Sequence, residues 1–297
     1  MVTNHSYCER FNFKFFPINK ISSVACIVLT KDNPSELSKT LQSIFFQDFQ
    51  ENLVVHVVES WNENHSINDT TDFFSPKFTK KQFALNIHRI WPPPGIFQSM
   101  NEALHILKTK FPKTTELIFL NSGDRFIDKS SLRNLFFHKR KMQKKFDLVF
   151  PAVFGRSKII ASDSLSWIMP DQRVRNLRQW LQYFNPNHQS VLFDASWAYE
   201  NPYNLDNILI ADRTVMKKAL TSIEELAFSK KIISEFHLSG YSSQLPNWKN
   251  LKERVNEPDR SLISKVGECL KFLIPNRLKF IYPYIMFTRS KFISFFC

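Results

Sequence analysis

Short continuous apolar runs alternate along this chain with longer stretches in which apolar residues recur every third or fourth position. Val24-Ala25-Cys26-Ile27-Val28-Leu29-Thr30 stays apolar until its last residue and is rich in β-branched side chains. That pattern predicts a strand buried on both faces. Asn33-Pro34-Ser35-Glu36 follows. Asn33 is a favoured N-cap, Pro34 suits the first helical position, and Glu36 stands where a capping box places a carboxylate. Leu37, Leu41, Ile44 and Phe45 then recur at helical spacing, and Leu53 to Val58 predicts a second buried strand. Strand, helix and strand in this order make a βαβ unit of parallel sheet. Phe83 to Ile90 and Glu116 to Leu120 predict further strands, with a helix over Ile96 to Leu107 between them. Beyond Leu120 the alternation is less regular. Asp147 to Ala152, Lys158 to Ala161 and Ser190 to Phe193 read as strands, and Leu209 to Leu220 and Ile223 to Ala227 as helical. The class expected is α/β: a Rossmann-like, mostly parallel central sheet with helices on both faces. Residues 1–20 read as a tail, 21–245 as the α/β domain and 246–297 as a basic, aromatic C-terminal extension.

Composition supports a folded chain. With 297 residues, 43% of them hydrophobic and 23% charged, a sizeable core is available and disorder is excluded as the default. Phe is abundant (30) and Gly scarce (5), so a glycine kept among polar residues stands out. The cysteines Cys8, Cys26, Cys269 and Cys297 form no CxxC pair, which argues against a zinc site or a disulfide framework. Met1 to Arg10 has no apolar segment of the signal-peptide kind. The run Phe280 to Thr288 falls far short of the ~20 residues a spanning helix needs. A cytoplasmic protein is therefore expected.

Charge adds a question about partners. Lys plus Arg outnumber Asp plus Glu by 40 to 27, a formal charge of +13, which attracts phosphates, nucleic acid or anionic lipid. No zinc-finger spacing, RNP-like aromatic motif or KH-type loop is present, so no nucleic acid is expected. The run His138 to Lys145 reads as a solvated helix face. Residues 265–297 mix Lys265, Lys271, Arg277, Lys279, Arg289 and Lys291 with many aromatic and aliphatic side chains. That mixture suits either an interfacial segment on anionic lipid or an extension packed on the core. Peripheral attachment at the inner face of the plasma membrane is the expectation.

Ligands of open parallel sheets bind beyond the carboxyl ends of the strands. Three polar groups fall there: Thr30-Lys31-Asp32, Glu59-Ser60 and Asn121-Ser122-Gly123-Asp124. The last sets a carboxylate at the rim, where a hard divalent cation bridging phosphates takes one or two protein oxygens. Spacing alone leaves a solvated turn open as the alternative.

At these residues the chain resembles a known family. Val24 to Thr30, with the helix ending Ser43-Ile44-Phe45-Phe46-Gln47, looks like the opening of family-2 glycosyltransferases of the GT-A type. Phe119-Leu120-Asn121-Ser122-Gly123-Asp124 resembles the FLNSGD motif of a bacterial polysaccharide (colanic-acid-type) branch. Gly95 to Asn101, Asn187-His188-Gln189, Ile210-Ala211-Asp212 and Ser239-Gly240-Tyr241-Ser242 resemble four further motifs of that branch, in order. The resemblance implies inverting transfer of a sugar from a nucleotide-diphosphate donor to a glycan or lipid-linked acceptor in surface polysaccharide biosynthesis. It implies Mg2+ or Mn2+ held by Asp124, and Asp212 as the general base. Thr30, Glu59, Asn101, Asn121, Ser122, Gly123, His188 and Gln189 would line the donor and acceptor. The chain also departs from the pattern. Glu59 replaces an aspartate, Trp61 follows where glycines are usual, and Pro93 and Gln98 replace two carboxylates. A degenerate member acting as a scaffold is the alternative these departures leave.

Overall fold

The computed structural model describes residues 10–14, 23–31, 33–60, 83–90, 95–180, 187–206, 211–220, 228–238 and 281–294, with short stretches between 251 and 269. Its strands are β1 (Arg10–Lys14), β2 (Ser23–Lys31), β3 (Asn52–Ser60), β4 (Phe83–Ile90), β5 (Thr114–Asn121), β6 (Arg125–Phe126), β7 (Ala152–Ser162), β8 (Leu165–Met169), β9 (Val191–Asp194) and β10 (Phe228–His237). Its helices are α1 (Pro34–Phe45), α2 (Ile96–Lys110), α3 (Ser131–Phe146), α4 (Leu177–Trp180), α5 (Ala195–Glu200), α6 (Ala211–Ala219) and α7 (Tyr282–Ile293). All the strands join one sheet, in the order β1-β4-β3-β2-β5-β9-β7-β10-β6, with β8 beside β7.

The centre of the sheet, β4-β3-β2-β5, is parallel, as the βαβ pattern predicts. Alternation along β2 shows why both its faces are apolar. Val24, Cys26 and Val28 enter one core with Leu37, Leu41 and Ile44 of α1 and Leu132, Leu135 and Phe136 of α3. Ala25, Ile27 and Leu29 enter the other with Met100, Ala103, Leu104 and Leu107 of α2 and Val215, Met216 and Ala219 of α6. Side chains alternate across a strand, so one continuous apolar run feeds two helical layers.

The N-cap expected at Asn33 forms: its Oδ1 accepts from the Glu36 amide at 3.2 Å, with Pro34 in the first turn. Several boundaries differ from the pattern reading. Arg10–Lys14, read as tail, pairs antiparallel with β4. Asp147 is not a strand residue but the left-handed cap (φ 53) that ends α3. Lys158 to Ala161 belongs to the longer β7, which pairs parallel with β10 and antiparallel with β8 and β9. The helical segment expected at Ile223 to Ala227 lies outside the described residues.

Candidate active site

The chain moves from β2 to β3 to β4 on one side, then returns to place β5 on the other side of β2. The carboxyl ends of β2 and β5 therefore flank the point where strand order reverses, the place at which such sheets bind ligands. Register sets the rim residues side by side. Thr30 lies opposite Glu59, Glu59 opposite Arg89, and Leu29 opposite Asn121. Glu59 accepts from Arg89 Nε at 2.7 Å, and both side chains are largely buried. Thr30 Oγ1 is buried with no hydrogen-bond partner.

The turn after β5 is tied down on two sides. The Ser122 amide donates to the Leu29 carbonyl at 2.7 Å. Thr40 of α1 accepts from the Gly123 amide at 2.9 Å and donates to the Asp124 carbonyl at 2.8 Å. Gly123 has φ 98, and a Cβ there would meet Glu36 Oε2 at 3.3 Å. Backbone conformation and space both favour glycine.

This turn buries Asp124 among polar neighbours, where it is only 4% exposed. Its Oδ2 accepts from Gln189 Nε2 at 2.8 Å, and its Oδ1 from the His237 amide at 3.4 Å. Burial raises its pKa to about 7, against the lowering effect of these hydrogen bonds and of Asn121. Its hydrogen-bond donors are all neutral, so the charge is held in place without being offset.

Gln189 sits on a 3-10 turn, His188–Ser190, which three buried hydroxyls fix in place. Ser190 Oγ lies 2.7 Å from Ser157 Oγ of β7 and 2.8 Å from Ser234 Oγ of β10. The His188 ring packs between Phe119 (6.1 Å) and Tyr203 (5.5 Å). Burial lowers its pKa to about 3, so the ring is neutral, and its Nε2 has no hydrogen-bond partner. Asn101 clamps the Tyr203 backbone, donating to its carbonyl at 2.9 Å and accepting from its amide at 2.8 Å. Tyr203 stacks on Phe97, and burial first, then the charge of Asp212, raise its phenol pKa well above the usual value. Asp212 lies in the first turn of α6, where its Oδ1 accepts from the Arg213 amide at 2.7 Å.

Two groups of the expected residues thus assemble. Thr30, Glu59, Asn121, Ser122, Gly123, Asp124 and Gln189 surround the rim of β2 and β5. His188, Asn101 and Asp212 are linked through Tyr203. Asn101 acts on backbone, and Gln98 is exposed on α2. Trp61, Pro93, Asp32 and Ser239 to Ser242 lie outside the described residues. Four contributors carry no signal in the sequence: Arg89, Thr40, Tyr203 and the pair Arg125 and His237. Arg125 Nη2 lies 3.2 Å from His237 Nε2. Burial, then the Arg125 charge, lower the His237 pKa. Arg125 directly follows Asp124, whereas Arg89 and His237 reach the site across the sheet, Thr40 from α1 and Tyr203 from the segment after α5.

Among the described residues no group of three or more His, Cys, Asp or Glu could hold a metal. Asp124 is the carboxylate here that could hold a magnesium or manganese ion, since such ions often take only one or two oxygens from protein. A cation there would offset the burial of that carboxylate.

This α/β architecture has counterparts among solved structures at low sequence identity. Among solved structures, it is similar to S. aureus TarS 1–349, with a TM-score of 0.54 at 14% identity over 90% of this chain and 73% of that one. It is also similar to the same protein in complex with UDP-GlcNAc (TM-score 0.54, 14% identity, 90% and 74% covered) and with UDP (0.53, 13%, 84% and 69%). No protein-family model matches the sequence, and no curated protein matches it.

Proposed function

We propose that this chain is a glycosyltransferase that moves a sugar from a nucleotide-diphosphate donor to a glycan or lipid-linked acceptor in surface polysaccharide synthesis. The observation that carries the reading is Asp124, a buried carboxylate oriented by neutral donors at the point where strand order reverses. The complexes of TarS with UDP and UDP-GlcNAc support a nucleotide-sugar donor on this fold.

The donor's nucleotide lies over Thr30 and Glu59, and its diphosphate over Asn121 to Asp124. An acceptor hydroxyl attacks the anomeric carbon from the side of His188 and Asp212. The new C–O bond forms as the bond from that carbon to the diphosphate oxygen breaks, inverting the centre. The electron pair leaves with the diphosphate, and the hydroxyl proton passes to the Asp212 carboxylate. Asp124 would hold a divalent ion, which when bound would supply positive charge at the leaving group. Glu59, held by Arg89, accepts from the nucleoside, and Asn101 orients the acceptor side through Tyr203.

The test is release of nucleotide diphosphate from a panel of UDP-, GDP- and dTDP-sugars with Mn2+ or Mg2+, comparing wild type with Asp124→Ala. The expected result is turnover by wild type with one nucleotide class and a loss of about 100-fold or more in the variant. No response from folded wild type to any donor would overturn the reading. It would favour the scaffold alternative instead, for which the exposed Gln98, in place of a carboxylate, is the supporting observation.

A further inference from the structure

Arg125 follows Asp124 directly and begins the two-residue strand β6, which pairs antiparallel with β10 so that Arg125 faces Glu235 in register. Its Nη2 lies 3.2 Å from His237 Nε2. A guanidinium can only donate, so the ring nitrogen accepts, and the neutral ring carries its proton on Nδ1. The main chain of the same histidine donates to Asp124 Oδ1 at 3.4 Å. His237 therefore fixes the guanidinium and the Asp124 carboxylate relative to each other, one with its ring and one with its backbone.

Two further observations point to a ligand. Arg125 Nε is buried without a hydrogen-bond partner. Among the described residues, no carboxylate forms an ion pair with Arg125, although Lys39, Arg89, Lys139 and Lys158 all have one. A partly buried guanidinium hydrogen-bonded to a neutral ring lacks a counter-charge. Its planar fork of donors matches phosphate oxygens. We infer that Arg125, held by His237, takes a phosphate of the donor's diphosphate directly and sets a fixed cation at the leaving group beside Asp124. Arg125 is then a substrate-binding residue and His237 its positioning residue. The carboxylates of Glu36, on the first turn of α1, and Glu235 act on the His237 ring, but they pair with Lys39 and Lys158 and not with Arg125. The inference rests on the donor reading above.

Calorimetry on the full chain tests it, with UDP, GDP and their nucleosides as probes, in EDTA and in Mn2+. Wild type is expected to bind one nucleoside diphosphate in EDTA as well as in Mn2+. Arg125→Met should weaken that binding at least about tenfold, the scale of a hydrogen bond to a charged group, with nucleoside affinity and melting temperature unchanged. His237→Gln, which offers an acceptor oxygen to the guanidinium, should retain diphosphate binding, whereas His237→Leu should lose it as Arg125→Met does. Equal diphosphate affinity in wild type and Arg125→Met would overturn the inference. So would parallel loss of nucleoside and diphosphate binding, which marks a structural arginine, or wild-type binding that vanishes in EDTA. Failure of wild type to bind either nucleotide with or without Mn2+ would instead remove the donor reading itself.

Discussion

A carboxylate buried among neutral donors opposes folding wherever it is ionised, and Asp124 is such a group. Its folded pKa, raised to about 7, lies above the ordinary carboxyl value of 3.8. The folded state thus binds the proton more tightly than the unfolded state does. The penalty is absent below about pH 4, grows as pH rises towards 7, and is complete above it. Asp124→Asn should therefore stabilise the metal-free protein at pH 8 by on the order of 4 kcal/mol, with the gain disappearing by pH 4. The introduced amide can be accommodated because Gln189 Oε1 lacks a partner and accepts once that side chain flips. Denaturant unfolding at the two pH values checks this, and an equal effect at both would contradict it. The same residue was legible in the sequence, since an apolar strand that emerges into Asn-Ser-Gly-Asp marks its own rim. Gln189 was legible only beside a family pattern. His237 and Thr40 were not, because their contacts with this turn cross 113 and 84 positions of the chain.

At the scale of elements, the charge run on α3 shows where local pattern misleads. His138 to Lys145 reads as a solvated face, yet Lys139 is fully buried. Its Nζ lies 3.2 Å from Asp194 Oδ2 and 3.7 Å from Glu116 Oε1, and Arg140 reaches Glu116 at 3.2 Å. Asp194 in turn caps α5 through the Trp197 amide. Lysine 139 lies four positions after Leu135 on the inward stripe of α3, so helical periodicity marks its face, while its charge conceals its burial. Burial lowers its pKa and the two carboxylates raise it. Removing one member of a buried network leaves the others uncompensated. Lys139→Met should cost about 3 to 5 kcal/mol, and Lys141→Ala, on the exposed side, less than about 0.5 kcal/mol. Chemical denaturation of the two variants separates them. The four-strand parallel centre was legible because continuous apolar runs leave little choice of element. Strand β10, Phe228-Ser229-Lys230-Lys231-Ile232-Ile233-Ser234-Glu235-Phe236-His237, was not. Its register shifts against β7 break the two-residue alternation that would reveal it.

For the whole molecule, the open question is what the C-terminal helix faces. No helix among the described residues is long and apolar enough to cross a membrane. Helix α7 is docked: Ile293 and Ser290 are buried, Phe287 meets Trp167 at 5.9 Å, and Lys291 pairs with Asp171 at 2.7 Å. That partner and Arg173 hold the Asp171 carboxyl below the usual range, even though burial acts in the opposite direction. Removing α7 would therefore expose core, and a truncated chain that left the membrane could do so because it had unfolded. The opposite face offers a cleaner experiment. Tyr284, Ile285, Thr288 and Phe292 fall within an arc of about 100° at 3.6 residues per turn. Tyr284 is 53% and Phe292 62% exposed. Exposed aromatic side chains on a basic extension suit insertion at an anionic interface. Replacing Tyr284 and Ile285 by serine should abolish cosedimentation with vesicles containing phosphatidylglycerol and leave the melting temperature unchanged, because both side chains lie on the exposed side of α7. Retained binding by the double variant would show that α7 serves the core alone.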